Sequence, residues 1–319
     1  MATQVKSVAA PETGPPEAPS ATKRVPSDEV TDAAGLGGAR AIAFVTPALL
    51  LVGAFLVFPA LWTLYLGITD YRLTGIAAAN PQFIGLQNYT NALTDPRFRN
   101  ALVVTLLFVL GSAVFGQTVM GFSIAWSMRS VPKAVKTIVE SLVLLAWILP
   151  SSIVAFLWIA YLNRDNGTLN SVLGTSGFDW LLGHPVLSII VFNTWRGTAF
   201  SMLLFSAALN AVPPSQLETA RLAGASTFAQ FRDVVFPHIR GHVLTNTLLI
   251  SLWTFNDFSP YLLTAGGPNN ASETLPVYIY NSALYAGELG YGSAISLIML
   301  VINLMIAMFY LRLLKERKS

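Results

Sequence analysis

Beyond Arg40 the chain alternates between long apolar runs and short polar joints. Six runs, at about 41–68, 101–127, 138–162, 186–211, 243–264 and 291–311, reach the roughly 20 residues a helix needs to cross the hydrocarbon core. The first, second, third and sixth carry no Asp, Glu, Lys or Arg apart from Glu140 near one end, whereas the fourth holds Arg196 and the fifth Asp257. Helices satisfy their own backbone polar groups in lipid, so the pattern predicts an all-α membrane protein with six transmembrane helices. The alternating segments of about ten residues that mark a transmembrane β-barrel are absent.

Residues 1–38 differ. They are rich in Ala, Pro, Glu, Ser and Gly, carry no apolar period, and read as a disordered tail that precedes a transmembrane domain over 39–319. They lack the short apolar core of a secretory signal. Six spans place both termini on one side, and the basic residues choose it. Lys23, Arg24 and Arg40, then Arg129, Lys133 and Lys136, then Arg221, Arg232 and Arg240, and finally Arg312, Lys315, Arg317 and Lys318 share a side. The positive-inside rule makes that side the cytoplasm. The outer loops are then about 69–100, 163–185 and 265–290, rich in Asn, Gly and Pro.

The cytoplasmic joint between the fourth and fifth runs has its own pattern. Pro213 and Pro214 end a span, and Ser215 and Glu218 have the spacing of a capping box. Gly224 interrupts the helix, Ser226 is placed to cap a second one, and Pro237 is expected to close that second helix before the next span. Phe228, Phe231 and Val235 fall on one face of the second helix, giving an exposed apolar ridge. Such a ridge suits a protein partner. It equally suits a helix lying in the headgroups, guided by Arg221 and Arg232.

Composition narrows the class. Only 11% of the residues are charged and 54% are hydrophobic, too few charges for a soluble surface. The chain has no cysteine, which excludes disulfides and thiolate metal sites, and no basic cluster that points to nucleic acid. No Gly-x-x-x-x-Gly-Lys-Ser/Thr loop occurs, so ATP is not expected to bind here. A membrane-embedded enzyme would need a constellation within the spans, and His184, His238 and His242 fall on opposite sides of this topology. No catalytic or metal-binding residue is expected. An ion-driven secondary transporter would show inverted repeats and broken helices; no repeat is evident.

The order Glu218, Ala220, Gly224, Val234, Pro237 resembles the EAA loop of permease subunits from importers of the ATP-binding-cassette class, with Thr219 and Ala223 as departures. Phe83-Ile-Gly-Leu-Gln-Asn-Tyr89, Asp95-Pro-Arg-Phe98, Leu263-Thr-Ala-Gly-Gly-Pro268 and Gly290-Tyr-Gly-Ser-Ala294 resemble four signatures of the sugar branch, in the expected order. The resemblance implies a type I importer permease fold and a place in the bacterial inner membrane. It implies a coupling helix that docks on an ATPase, assigning Glu218, Ala220, Gly224, Ala225, Phe228, Phe231 and Pro237 to coupling. The implied partners are a second homologous permease, an ATPase homodimer that uses the ATP and magnesium, an extracytoplasmic sugar-binding (lipo)protein and membrane lipid. The implied cargo is a disaccharide such as trehalose, with maltodextrins or glycerol-3-phosphate as alternatives.

Charged residues inside spans are functional candidates, and Asp257 is a natural partner for Arg196. Planar polar groups for sugar hydroxyls and aromatic faces for sugar C–H surfaces are both at hand in Asn193, Trp195, Arg196, Asn256, Asp257 and Tyr261. Ser293, Ser296 and Asn303 of the last run either line the same path or hold helices together.

Overall fold

A computed structural model describes residues 38–315; the tail expected over 1–38 lies outside them, save for Gly38, which begins a helix. The chain divides into two compact units, residues 1–58 and 59–319. The described part of the first is helical, Gly38–Val52 followed by a π-helical turn Gly53–Val57.

Among the described residues four helices are long and apolar enough to cross a membrane: α1 (Ile42–Gly67), α3 (Pro96–Ser127), α6 (Pro185–Asn210) and α12 (Leu289–Lys315). A short α2 (Gln87–Thr94) precedes α3. Asp95 caps α3 by accepting the Arg97 backbone N–H at 2.8 Å, and Pro96 takes the first turn, where its missing N–H costs nothing.

The third run is not one straight span. It forms α4 (Lys133–Ile148) and α5 (Ser151–Tyr161), bent by 104°. Pro150 forbids a helical conformation at the residue before it, and Leu149 is extended at φ −62°, ψ 138°. Counted as one span, the pair brings the number to five. The fifth run also departs from expectation. Helix α9 (Phe236–Phe255) stops before Asn256, and the chain resumes as α10 (Ser259–Thr264). Asp257 Oδ1 accepts the Ser259 N–H at 3.0 Å and its hydroxyl at 2.7 Å, while Pro260 opens the new helix. The cap and the proline together start a helix where the run predicted continuity.

Helices α3 and α6 approach closely. In α3 the residues Val109–Gln117 are π-helical. Turns that bond i to i+5 bring residues five apart toward one face, which an α-helix does not. Gly111, Gly116 and Gly121 therefore all turn toward α6, against Ile190, Thr194 and Ser201. A Cβ on Gly121 would meet Ser201 Cβ at 2.5 Å and the Met202 backbone nitrogen at 2.8 Å, so nothing larger than hydrogen fits. Small residues at such contacts are what hold helices together where lipid offers no hydrophobic drive.

Three buried clusters tie the second unit together. One joins α2, α3, α9, α11 (Leu275–Tyr280) and α12 through Phe98, Val109, Ile250, Phe255, Leu275 and Ile295. Another joins α3, α5, α6 and α10 through Phe108, Val154, Phe192 and Leu263. The last sits at the end of the bundle that carries the 213–237 joint, with Ala125, Met202, Phe205, Leu217, Val235 and Ile239.

Candidate functional site

The joint begins as α7 (Pro214–Leu222). The expected capping box does not form. Pro213 occupies the N-cap without a side-chain bond, and the Ser215 carbonyl accepts the Thr219 hydroxyl at 2.9 Å. Pro214 fills the first helical position and needs no donor partner, which moves the start away from Ser215. Glu218 is exposed, and among the described residues its side chain makes no hydrogen bond or ion pair.

Gly224 ends α7 at φ +78°, with its N–H on Arg221 O and the Ala225 N–H reaching back to Ala220 O, both at 3.0 Å. That is a Schellman closure, and it gives Ala220 and Ala225 a turn-making place. Ser226 then caps α8 (Thr227–Gln230) by accepting the Ala229 N–H at 3.3 Å, as expected.

Pro237 does not close the second helix. A π-helical turn, Phe231–Val235, runs on directly into α9, with the Phe236 N–H on Phe231 O. The wide turn carries the helix past a residue that has no N–H to place. The expected ridge is also divided. Phe228 is 70% exposed and Leu222 90%, but Val235 is fully buried and Phe231 turns inward. The Phe231 ring lies 5.4 Å from Phe122 and 5.8 Å from Trp126 of α3. The π turn adds a residue to the repeat and so shifts Phe231 and Val235 off the face of Phe228.

Arg129 lies over the Trp126 ring at 4.9 Å. Partial burial, and then the charge of Arg221, lowers its pKa. Two guanidinium groups thus stand near one another at this end of the bundle. Among the described residues neither forms an ion pair with a carboxylate, and Arg221 reaches Gln230 Oε1 at 3.5 Å.

A second constellation lies where α6, α9 and α10 meet. Arg196 Nη1 lies 3.4 Å from Asp257 Oδ2 and donates to Ser259 Oγ at 2.8 Å, so the expected pairing forms. Asn256 and Asn303 exchange amide hydrogen bonds at 3.3 and 3.2 Å, bringing α12 to the same place. A cavity of about 380 Å³ opens here, lined among others by Asn193, Arg196, Asn256 and Asp257.

Asn193 lies on that wall but is bound within it, and the remaining candidates fall outside it. Asn193 is largely committed to structure, since its amide donates to Ser112 Oγ at 2.8 Å and Thr254 Oγ1 at 3.2 Å. Trp195 turns to Trp158, with centroids 5.9 Å apart. Tyr261 joins an aromatic group with Phe258 and Tyr280, at 4.9 and 5.0 Å. Ser293 is buried, and Ser296 donates to the Gly292 carbonyl of its own helix at 2.9 Å.

Sequence reasoning missed Gln117, Trp147, Phe200, Trp253 and Thr254 on the cavity wall. Gln117, a lone amide in a charge-free run, was the one available signal.

Three of the four sugar-branch signatures, at 83–89, 95–98 and 290–294, meet in a different cavity of about 760 Å³, whose walls include Ile84, Gln87, Asn88, Asp95, Glu288 and Tyr291. Beside it the Arg97 guanidinium forks onto the fully buried Glu273 carboxylate at 2.7 and 2.6 Å, and Asn281 adds a third bond at 2.6 Å. Asp95 accepts the hydroxyls of Tyr278 at 2.5 Å and Tyr291 at 3.2 Å. Burial pushes the Asp95 carboxyl up, but the bonds from Tyr278, the Arg97 N–H and Tyr291, with the Arg97 charge, outweigh it and hold its pKa below the usual value. Burial and donation to Asp95 push the Tyr278 hydroxyl far up.

These features define a helical membrane protein with several spans. The fold matches the crystal structure of a bacterial ABC transporter involved in import of the acidic polysaccharide alginate, with a TM-score of 0.69, 20% identity, and coverage of 88% of this chain and 96% of that one. Residues 117–318 match the family described as binding-protein-dependent transport system inner membrane component, and the chain belongs to that family. Membership settles the choice against an ion-driven carrier, although two broken helices do occur. Similar proteins include the sulfoquinovosyl glycerol transport system permease protein SmoG of Agrobacterium fabrum, 27% identical over 87% of this chain and 91% of that protein. Another is the trehalose/maltose transport system permease protein MalF of Thermococcus litoralis, 29% identical over 86% of this chain and 93% of that protein.

Proposed function

We propose that this chain is one of two permease subunits in an ATP-driven sugar importer, with the 39–319 domain forming half of the pore. In this reading α9 with α10 supplies the sixth span, both termini are cytoplasmic, and the outer loops receive a sugar-binding protein. An ATPase dimer grips the 213–237 joint. The cargo is a disaccharide, as the name of the Thermococcus relative suggests for that protein.

The observation that carries the reading is the build of the joint. Phe231 and Val235 anchor it to the bundle, while Glu218, Leu222 and Phe228 stand exposed around the Gly224 turn. A rigidly mounted surface with exposed apolar residues and a carboxylate that has no partner among the described residues suits a protein groove, where a basic side chain can meet the carboxylate. Arg129 and Arg221, without ion pairs among the described residues, add positive charge for acidic groups on the ATPase. When ATP closes the ATPase dimer, a mount of this kind passes the motion to α3, α6 and α9 together, and the pore changes the side on which it opens. Arg196, Asn256, Asp257, Asn303 and Tyr261 lie on or beside the path, with Asn193, Trp195, Ser293 and Ser296 supporting it.

The test is purification of the complex with its ATPase and binding protein, followed by a panel of sugars. Stimulation of ATP hydrolysis by trehalose or maltose through the binding protein is expected. Uptake by vesicles that hold this chain without any ATPase, driven by an ion gradient, would overturn the reading.

A further inference from the structure

Of the side chains that line the 380 Å³ cavity, only Arg196 and Asp257 carry a formal charge, and they face each other at 3.4 Å. Their charges cancel. The remaining wall holds amides and a hydroxyl, Gln117, Asn193, Asn256 and Thr254, and an aromatic group, Trp147, Phe200 and Trp253, with Gly197 and Ile250 between them. The aromatic rings pack on one another, with Trp253 4.8 Å from Phe200 and 6.3 Å from Trp147. Amides match hydroxyls and ring faces match C–H surfaces, and neither helps an anion leave water. Arg196 Nε is buried and has no hydrogen-bond partner among the described residues.

An arginine alone in such a cavity would make it a site for anions, since one charge acts strongly where water is excluded. Asp257 removes that field. The cap it places on α10 fixes its carboxylate beside the guanidinium, so the cancellation is built into the break between α9 and α10. Similar permeases are named for both kinds of cargo, the sulfonated sulfoquinovosyl glycerol and the neutral trehalose and maltose, so kinship leaves the choice open.

We propose that the Arg196–Asp257 pair is a charge filter: it keeps the path neutral, admits uncharged glycosides and rejects sugars bearing phosphate or sulfonate, with Asp257 the residue that sets the choice. The inference rests on the reading of this cavity as the sugar path.

The experiment uses the complete transporter in lipid nanodiscs without the binding protein, so that selectivity belongs to the membrane part. Trp147 and Trp253 report from the wall, and Trp147→Phe and Trp253→Phe identify their share of the fluorescence. Trehalose and trehalose 6-phosphate are titrated separately. Wild type is expected to respond to trehalose at concentrations at least about tenfold below those needed for the phosphate ester. Asp257→Asn, which keeps the cap geometry, is expected to erase or reverse that ratio. The double variant Arg196→Gln/Asp257→Asn is neutral again and should restore it, which a merely structural role for either residue would not do. Equal responses in wild type, or a ratio unchanged in Asp257→Asn, would overturn the filter while leaving the path reading in place. Silence toward both sugars in every protein would remove the path reading and the filter with it.

Discussion

The Phe231 ring of the 213–237 joint stands edge-on to the Trp126 indole of α3, 81° from parallel with centroids 5.8 Å apart. This contact joins the surface that meets the outside to the helix that α6 grips through glycines. Phe231→Ala removes part of a half-buried aromatic group, costing about 1–3 kcal/mol. Lower thermal stability is expected, together with ATP hydrolysis that runs on with little transport. Phe228→Ala should leave the melting temperature of the permease unchanged and weaken ATPase retention during purification.

Gly224 takes φ +78° with open space around it, so only its backbone constrains it. An alanine there costs about 1–3 kcal/mol of strain, and proline cannot adopt the angle at all. Gly224→Pro should insert normally yet fail to couple or to assemble. Wild-type sugar uptake by that complex would show that the turn has no coupling role.

Replacing Arg196 by alanine leaves Asp257 as an uncompensated charge beside a cavity. Uptake should fall steeply while the ATPase still co-purifies. If the ATPase is lost instead, the pair is structural, and a pull-down against the ATPase decides between the two.

Gly121 tests the helix contact. Gly121→Val would push a side chain into the backbone of Met202, and the protein should fail to accumulate in the membrane. Gly241→Ala, in α9 with nothing within 4 Å, should accumulate normally, as immunoblots of membrane fractions can check.

The Asp95 network predicts a pH response. The folded Asp95 pKa lies below its unfolded value of about 3.9. Its contribution is therefore complete above that value and is lost as pH falls through the lower folded pKa. Thermal melts between pH 6 and acid, wild type against Asp95→Asn, should converge at the acid end; a constant gap would mean the carboxylate charge is irrelevant.

Apolarity over some twenty residues is a local property, and partition into lipid adds up residue by residue. That is why four spans, the Gly224 turn and the Ser226 cap were legible along the chain. The Arg196–Asp257 pair was legible too, because an isolated charge in a span demands a partner and few were available. Other features depended on what stands opposite. Pro150 and Pro260 sit inside runs whose hydropathy hides them, so both breaks emerged only from backbone geometry. The π turn at Phe231–Val235 moved two apolar residues from the exposed face to Trp126 and the buried cluster, a shift that helical periodicity cannot register. Glu273 drew no notice in a loop, yet it is the buried partner of Arg97, 176 positions away. The cavity wall likewise draws on Gln117, Trp147 and Trp253 from three different helices. Contacts of that kind are set by which faces meet across the bundle, and no local count of residues contains them.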